Sequence, residues 1–147
     1  MTKIYLSDGT TEEFNIVGEL DDRFSNNKNI VRVEIGDSVT DIGICAFCGC
    51  SNLTSVKMPD TLEFIGRYAF YACKSLKKVI IPDDIIHIGA GAFKNCYNLY
   101  EVWYDGKEGH NYFGKTHSYS DKTKLRRILK KKGVNLDRFI FNNTDLD

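Results

Sequence analysis

Apolar positions recur along the middle of this chain with a period of 23 residues. Segment 39–60, VTDIGICAFCGCSNLTSVKMPD, lies over 62–83, LEFIGRYAFYACKSLKKVIIPD, which lies over 85–106, IIHIGAGAFKNCYNLYEVWYDG. The columns read Ile42-Gly43, Ile65-Gly66 and Ile88-Gly89; Ala46-Phe47, Ala69-Phe70 and Ala92-Phe93; Cys50, Cys73 and Cys96; Leu53, Leu76 and Leu99; Val56, Val79 and Val102. A partial earlier copy, FSNNKNIVRVEIGD, sets Phe24, Asn27, Ile30, Val33 and Ile35 into the same columns.

One such unit cannot bury its apolar face alone, whereas three or more stacked units share a continuous core. The pieces VRVEI, SVKM, KVII and EVWY alternate with period two, the mark of half-buried strands. The alternation predicts that Val33/Ile35, Val56/Met58, Val79/Ile81 and Val102/Tyr104 point inward from a narrow parallel sheet. Phe47, Phe70 and Phe93 are expected to stack as an aromatic spine under the opposite face. Gly43, Gly66 and Gly89 each follow an inward isoleucine, where a bend or a close neighbouring backbone disfavours a side chain.

An open stack exposes its core and its strand edges, so both ends need covering. Residues 1–23 read as a cap: KIYLSDGTTEEFNIVG has the form of a hairpin with SDGT at its turn. Residues 24–106 carry the repeats, and 107–147 form a linker and a C-terminal capping segment. Within that segment, 121–132 predicts a helix that Ser120 or Asp121 starts and Gly133 stops, with Leu125, Ile128 and Leu129 as its apolar stripe. LDRFIF, 136–141, then predicts a short strand with Phe139 and Phe141 on one face. The stretch GKEGHNYFGKTHSYS between repeats and helix is Gly-rich but holds three aromatics, so it is expected to pack.

The cluster ICAFCGC, with Cys45, Cys48 and Cys50 in six positions, suggests metal or redox chemistry at first sight. The repeat argues otherwise. Cys50 belongs to a column with Cys73, Cys96 and Asn27, and both residue types are small and can donate a hydrogen bond to a turn carbonyl. Cys45 and Cys48 fall at variable positions, opposite Tyr68/Gly91 and Tyr71/Lys94. A zinc site needs four converging ligands, and no spacing here supplies them. A Cys50–Cys73 bridge fits the roughly 4.8 Å spacing of stacked strands, though not a reducing compartment.

The pattern IGxxAFxxCxxLxxVxIP, from about Phe24 to Tyr104, resembles the BspA-like (Treponema pallidum-type) leucine-rich repeat family. In such repeats Asn and Cys alternate at the turn, as Asn27 and the cysteines do here. The resemblance implies a leucine-rich-repeat solenoid, β-rich and right-handed, with short parallel strands and a protein-binding role, commonly at cell surfaces. The expected architecture is therefore that solenoid between an N-terminal β-hairpin cap and a C-terminal helical cap.

Charge changes the picture only by exclusion. The 147 residues hold 20 Lys plus Arg and 20 Asp plus Glu, so no overall field draws in nucleic acid or membrane. No run of 18 apolar residues exists to span a bilayer, and the start lacks a signal-peptide pattern, which with five cysteines points to reduced thiols in the cytoplasm. Lys124, Arg126, Arg127 and Lys130 to Lys132 crowd the predicted helix, but without interleaved stacking aromatics or a nucleic-acid motif. Such cations suit a helix C-terminus.

His87, His110 and His117 complete no catalytic constellation, so no enzyme, cofactor, metal or small-molecule substrate is expected. His87 shares an outward column with Asp41 and Phe64. On the strand surface, the outward columns read Arg32, Ser55, Lys78, Glu101 and Glu34, Lys57, Ile80, Trp103. Ile80 and Trp103 break the charge alternation and form the candidate binding centre, with Lys57, Lys78 and Glu101 as rim. The alternative is that the C-terminal segment folds back over them. The expected function is a non-catalytic protein-protein interaction module, an adaptor or a stoichiometric inhibitor. A structural relative of a surface adhesin and a nucleic-acid binder using the basic helix are the other readings.

Overall fold

The computed structural model describes residues 1–99, 101–105, 111–115, 127, 129–131, 133–137 and 140, with backbone alone at 101, 103–105 and 111–115. Strands β1 (Thr2–Leu6) and β2 (Thr11–Phe14) form the expected hairpin. Its turn is closed by Gly9 at φ 88° and by Asp8, whose carboxylate accepts from the Thr10 hydroxyl at 2.6 Å and amide at 2.9 Å. Then follow β3 (Gly18–Leu20), a 3-10 turn (Asp22–Phe24), β4 (Ile30–Glu34), β5 (Val39–Ile42), β6 (Ser55–Lys57) and β7 (Phe64–Ile65). Strands β8 (Lys78–Pro82), β9 (His87–Ile88), β10 (Glu101–Asp105), β11 (Asn111–Lys115) and β12 (Asn135–Leu136) complete the order.

Each coil contributes one strand to each of two sheets. The larger has the order β11-β10-β8-β6-β4-β1-β2, with β4, β6, β8 and β10 parallel and the antiparallel pairs at its two ends. The second, β12-β9-β7-β5-β3, is parallel throughout. Sequence patterning does not reveal this second sheet, because strands of two to four residues are too short to display period two. It also means that β3, within the stretch assigned to the cap, is already part of the first coil.

Register is set by the repeat. Asp41 pairs with Phe64 and Phe64 with His87, Val33 with Val56, and Ser55 with Lys78. Each is a shift of one repeat, so each core residue meets its own copy. Phe24, Phe47, Phe70 and Phe93 stack nearly parallel, with centroids 5.7, 5.5 and 5.3 Å apart. Phe14 of the hairpin closes this column edge-on at 5.1 Å. The inward strand residues Val33, Ile35, Val56, Met58, Val79, Ile81 and Val102 are buried as expected. At Gly66 and Gly89 an added Cβ would come within 2.8 Å of the Gly43 carbonyl carbon and 2.5 Å of the Arg67 nitrogen, so the preceding coil's backbone leaves no room for a side chain.

The chain after the repeats returns to the stack. Asn135 N–H donates to Ile86 O at 2.7 Å and Asp137 N–H to Ile88 O at 3.0 Å, the bonds that Gly66 and Gly89 make to Ile42 and Ile65. Phe93 N–H donates to Ile140 O as Phe70 N–H does to Ala92 O. Leu136, Asp137 and Ile140 thus take the places of Ile88, Gly89 and Ala92 one coil further on, in a final turn. The strand sits at Asn135–Leu136, and Ile140 is the buried residue. Phe139 and Phe141, expected on a strand face, lie outside the described residues. Ahead of this turn, Arg127, Leu129, Lys130 and Lys131 are helical. The helix ends at Gly133, φ 86°, with Gly133 N–H to Lys130 O and Val134 N–H to Leu129 O, a paired closure that satisfies two terminal carbonyls. The rest of the predicted helix, 121–126, 128 and 132, lies outside the described residues.

The aromatic column carries a direct test. Phe70 has no exposed surface and stacks on both sides, so Phe70→Ala is expected to cost about 3–5 kcal/mol, read as a lowered urea midpoint at unchanged m.

Candidate functional site

The repeat shift places outward residues of the seven-stranded sheet in rows. Tyr5 pairs with Arg32, Arg32 with Ser55, Ser55 with Lys78 and Lys78 with Glu101. In the second row Lys3 pairs with Glu34, Glu34 with Lys57, and Ile80 with Trp103. The N-terminal half of this surface is satisfied internally. Arg32 pairs with Glu34 and lies 4.7 Å over the Tyr5 ring, and Lys3 reaches Glu13 at 3.6 Å. Further along, Lys57 and Lys78 are exposed and Ile80 is 44% exposed. Lys57, Lys78, Ile80 and the positions of Glu101 and Trp103 therefore come together on three consecutive strands. Strand β11 runs beside β10, with Phe113 opposite Trp103, so it widens the sheet in its own plane and leaves Ile80 uncovered.

The second sheet has its own outward row: Glu19, Asp41, Phe64, His87 and Asn135. Beside it the glycine column leaves a groove of about 350 Å³ along the stack. Phe64 is 37% exposed there and Ile44 54%. His87 Nε2 lies 3.4 Å from Asp137 Oδ2, and the same oxygen accepts from the Ala90 amide at 3.1 Å. The outward position of His87 beside Phe64 is legible in the repeat, but Asp137 is not, because it stands in the final turn beyond the inserted helix. His110 and His117 lie outside the described residues. Among the described residues, no three His, Cys, Asp or Glu side chains are grouped to hold a metal ion, and no helix is long and apolar enough to cross a membrane.

Residues 20–147 match the profile of the BspA type leucine rich repeat region, in six copies. The chain belongs to the BspA-type leucine-rich repeat family. Among solved structures it is similar to the crystal structure of the T. pallidum leucine-rich repeat protein, at 28% identity and a TM-score of 0.45. That match covers 60% of this chain and 52% of the other, so it spans about half of that protein's length. No curated protein sequence matches the chain. Leucine-rich repeats of this kind generally mediate protein-protein interaction and are typically non-catalytic.

The cysteines of these BspA-type repeats act as structural donors. Cys50, Cys73 and Cys96 direct Sγ at the carbonyls of Phe24, Phe47 and Phe70 in the preceding coil, at 3.1, 3.1 and 3.0 Å. Each of those carbonyls also accepts an amide of its own turn, from Asn27, Cys50 and Cys73 respectively, so the thiol takes the second lone pair. Asn27 in the first coil instead accepts from Asn29 N–H at 2.9 Å. Burial raises two of these thiols: Cys50 is pushed up to about 11 and Cys73 well above the ordinary thiol range. Cys48, at the surface turn, is raised by partial burial and then by Cys45 beside it. A metal or redox thiol needs the opposite shift. On the helix, Arg127, Lys130 and Lys131 are exposed while Leu129 is buried, the arrangement of a packed end-piece.

The raised Cys50 thiol makes stability depend on alkaline pH. Unfolded, it ionises near 9.0; folded, at about 11, so its contribution is whole below pH 9 and is lost as pH rises through 11. The urea midpoint of the wild type is expected to fall between pH 9 and 11 more steeply than that of Cys50→Ala.

Proposed function

We propose that this chain is a non-catalytic protein-binding module whose partner docks on the outer face of the seven-stranded sheet. Ile80 and Trp103 form the apolar centre, and Lys57, Lys78 and Glu101 the charged rim. The exposure of Ile80 carries this reading. Isolated surface isoleucines are ordinary, but this one is in register with a tryptophan, the residue type most enriched at interface hot spots, and is neighboured by cations. The other half of the same face carries the internal pairs Lys3–Glu13 and Arg32–Glu34 and shows no comparable apolar centre among the described residues.

In-register stacking favours binding of this sort, because a rigid surface loses little freedom on association. The module acts as an adaptor or a stoichiometric inhibitor, occupying a partner without transforming it. Its compartment is a reducing one, the cytoplasm, since the bonds from Cys50, Cys73 and Cys96 need intact S–H groups.

A quantitative pull-down from source-cell lysate tests this, comparing wild type with Ile80→Ser/Trp103→Ala after matching their circular dichroism. A protein recovered by wild type and lost with the variant is the expected result. Equal recovery by both, or no specific recovery by either, removes this face as the binding surface.

A further inference from the structure

The groove on the second sheet has unused hydrogen-bond donors on its floor. Ile44 and Arg67, each the residue after a glycine, line the groove, with their amides close to the next coil's glycine. A Cβ at Gly66 would lie 2.8 Å from the Ile44 nitrogen, and one at Gly89 2.5 Å from the Arg67 nitrogen. Neither amide has a hydrogen-bond partner among the described residues. The final turn shows what such an amide accepts as a partner: Asp137 stands in the glycine column, and its carboxylate oxygen takes the Ala90 N–H at 3.1 Å. The Ile44 and Arg67 amides thus line the groove without an acceptor among the described residues.

Charge and shape select the occupant. At one end of the groove Glu19 and Asp41 stand side by side in register, without an ion pair among the described residues. Phe64 follows Asp41 in the row, with more than a third of its surface exposed. A ligand matching all three features carries carbonyl oxygens for the floor, a cation for the carboxylates and an apolar stem to lie on the ring. A polypeptide segment with a lysine or arginine has all of them, since its side chain ends in a cation on an aliphatic stem.

We propose that this groove binds a basic peptide segment. Its carbonyls accept from Ile44 and Arg67 N–H, and its lysine or arginine crosses Phe64 to reach Glu19 and Asp41. This site is separate from the Ile80 face, so the two readings can fail independently.

The probe is a fluorescein-labelled decapeptide of alternating Arg and Val, measured by anisotropy against the same peptide with Glu for Arg. Binding of the Arg peptide at low salt, weakened at least tenfold in Glu19→Gln/Asp41→Asn and unchanged in Ile80→Ser/Trp103→Ala, is expected. No binding of the Arg peptide, equal binding of the Glu peptide, or equal affinity in the Glu19/Asp41 variant overturns the proposal. Amide hydrogen exchange of the wild type supplies a second measurement that needs no variant. Ile44 and Arg67 should gain protection with the Arg peptide, and unchanged exchange at both would overturn their assigned role.

Discussion

Every inward position of this molecule has to stack on its own copy. A shift of one repeat carries each strand onto the next at the spacing of hydrogen-bonded strands, roughly 4.8 Å. That spacing suits a flat ring, which is why the spine is Phe24, Phe47, Phe70 and Phe93, with centroids between 5.3 and 5.7 Å. It also suits a small donor that reaches back one coil, hence the cysteines on the phenylalanine carbonyls. Where two coils approach still closer, only glycine fits. The sequence motif lists these separate solutions to one geometric condition.

The ends show what happens when the condition lapses. Before the first coil there is no phenylalanine to stack on, and Phe14 turns edge-on to cover the column. After the last complete coil Asp137 stands in the glycine column, and its carboxylate accepts from the Ala90 amide and lies 3.4 Å from His87 Nε2. The large sheet is finished by antiparallel strands at both margins, β1-β2 at one and β11 at the other. Reversing the chain direction lets a tight connection supply an end strand without another coil.

Most of the fold was legible because long columns repeat: the spine, the inward valines and isoleucines, the glycines and the cysteine donors all follow from period 23. The second sheet escaped because its strands are only two to four residues long, and β7 and β9 each offer a single buried residue, Ile65 and Ile88. A second polar ladder escaped for another reason. Asn52, Ser75 and Asn98 bond the carbonyls of Lys28, Ser51 and Lys74 one coil back, yet alternate between two residue types that also abound in ordinary loops. The final turn was hidden because LDRFIF shares only its apolar pattern with IGAGAF and follows an insertion of helix and strand. The candidate site was legible as two outward columns; its neighbour over the glycines was not, since a groove made by absent side chains has no sequence signal beyond the glycines themselves.

The same condition separates structure from function along this chain. Most inward columns hold one residue type from coil to coil, and the rest stay apolar, because a copy must accept its copy. Outward columns are released from that demand, and they vary: Asp41, Phe64 and His87 on one sheet, Glu34, Lys57 and Ile80 on the other. The three internal copies thus serve as controls for one another. Cysteines that repeat are structural, whereas an apolar residue that appears once in an outward column, like Ile80 or Phe64, is not accounted for by the repeat. Such a residue is stable only because the coil beneath it is already complete. A scaffold of this construction can change its outward residues one at a time without disturbing its core, and both proposed binding surfaces lie there rather than in the cysteine cluster.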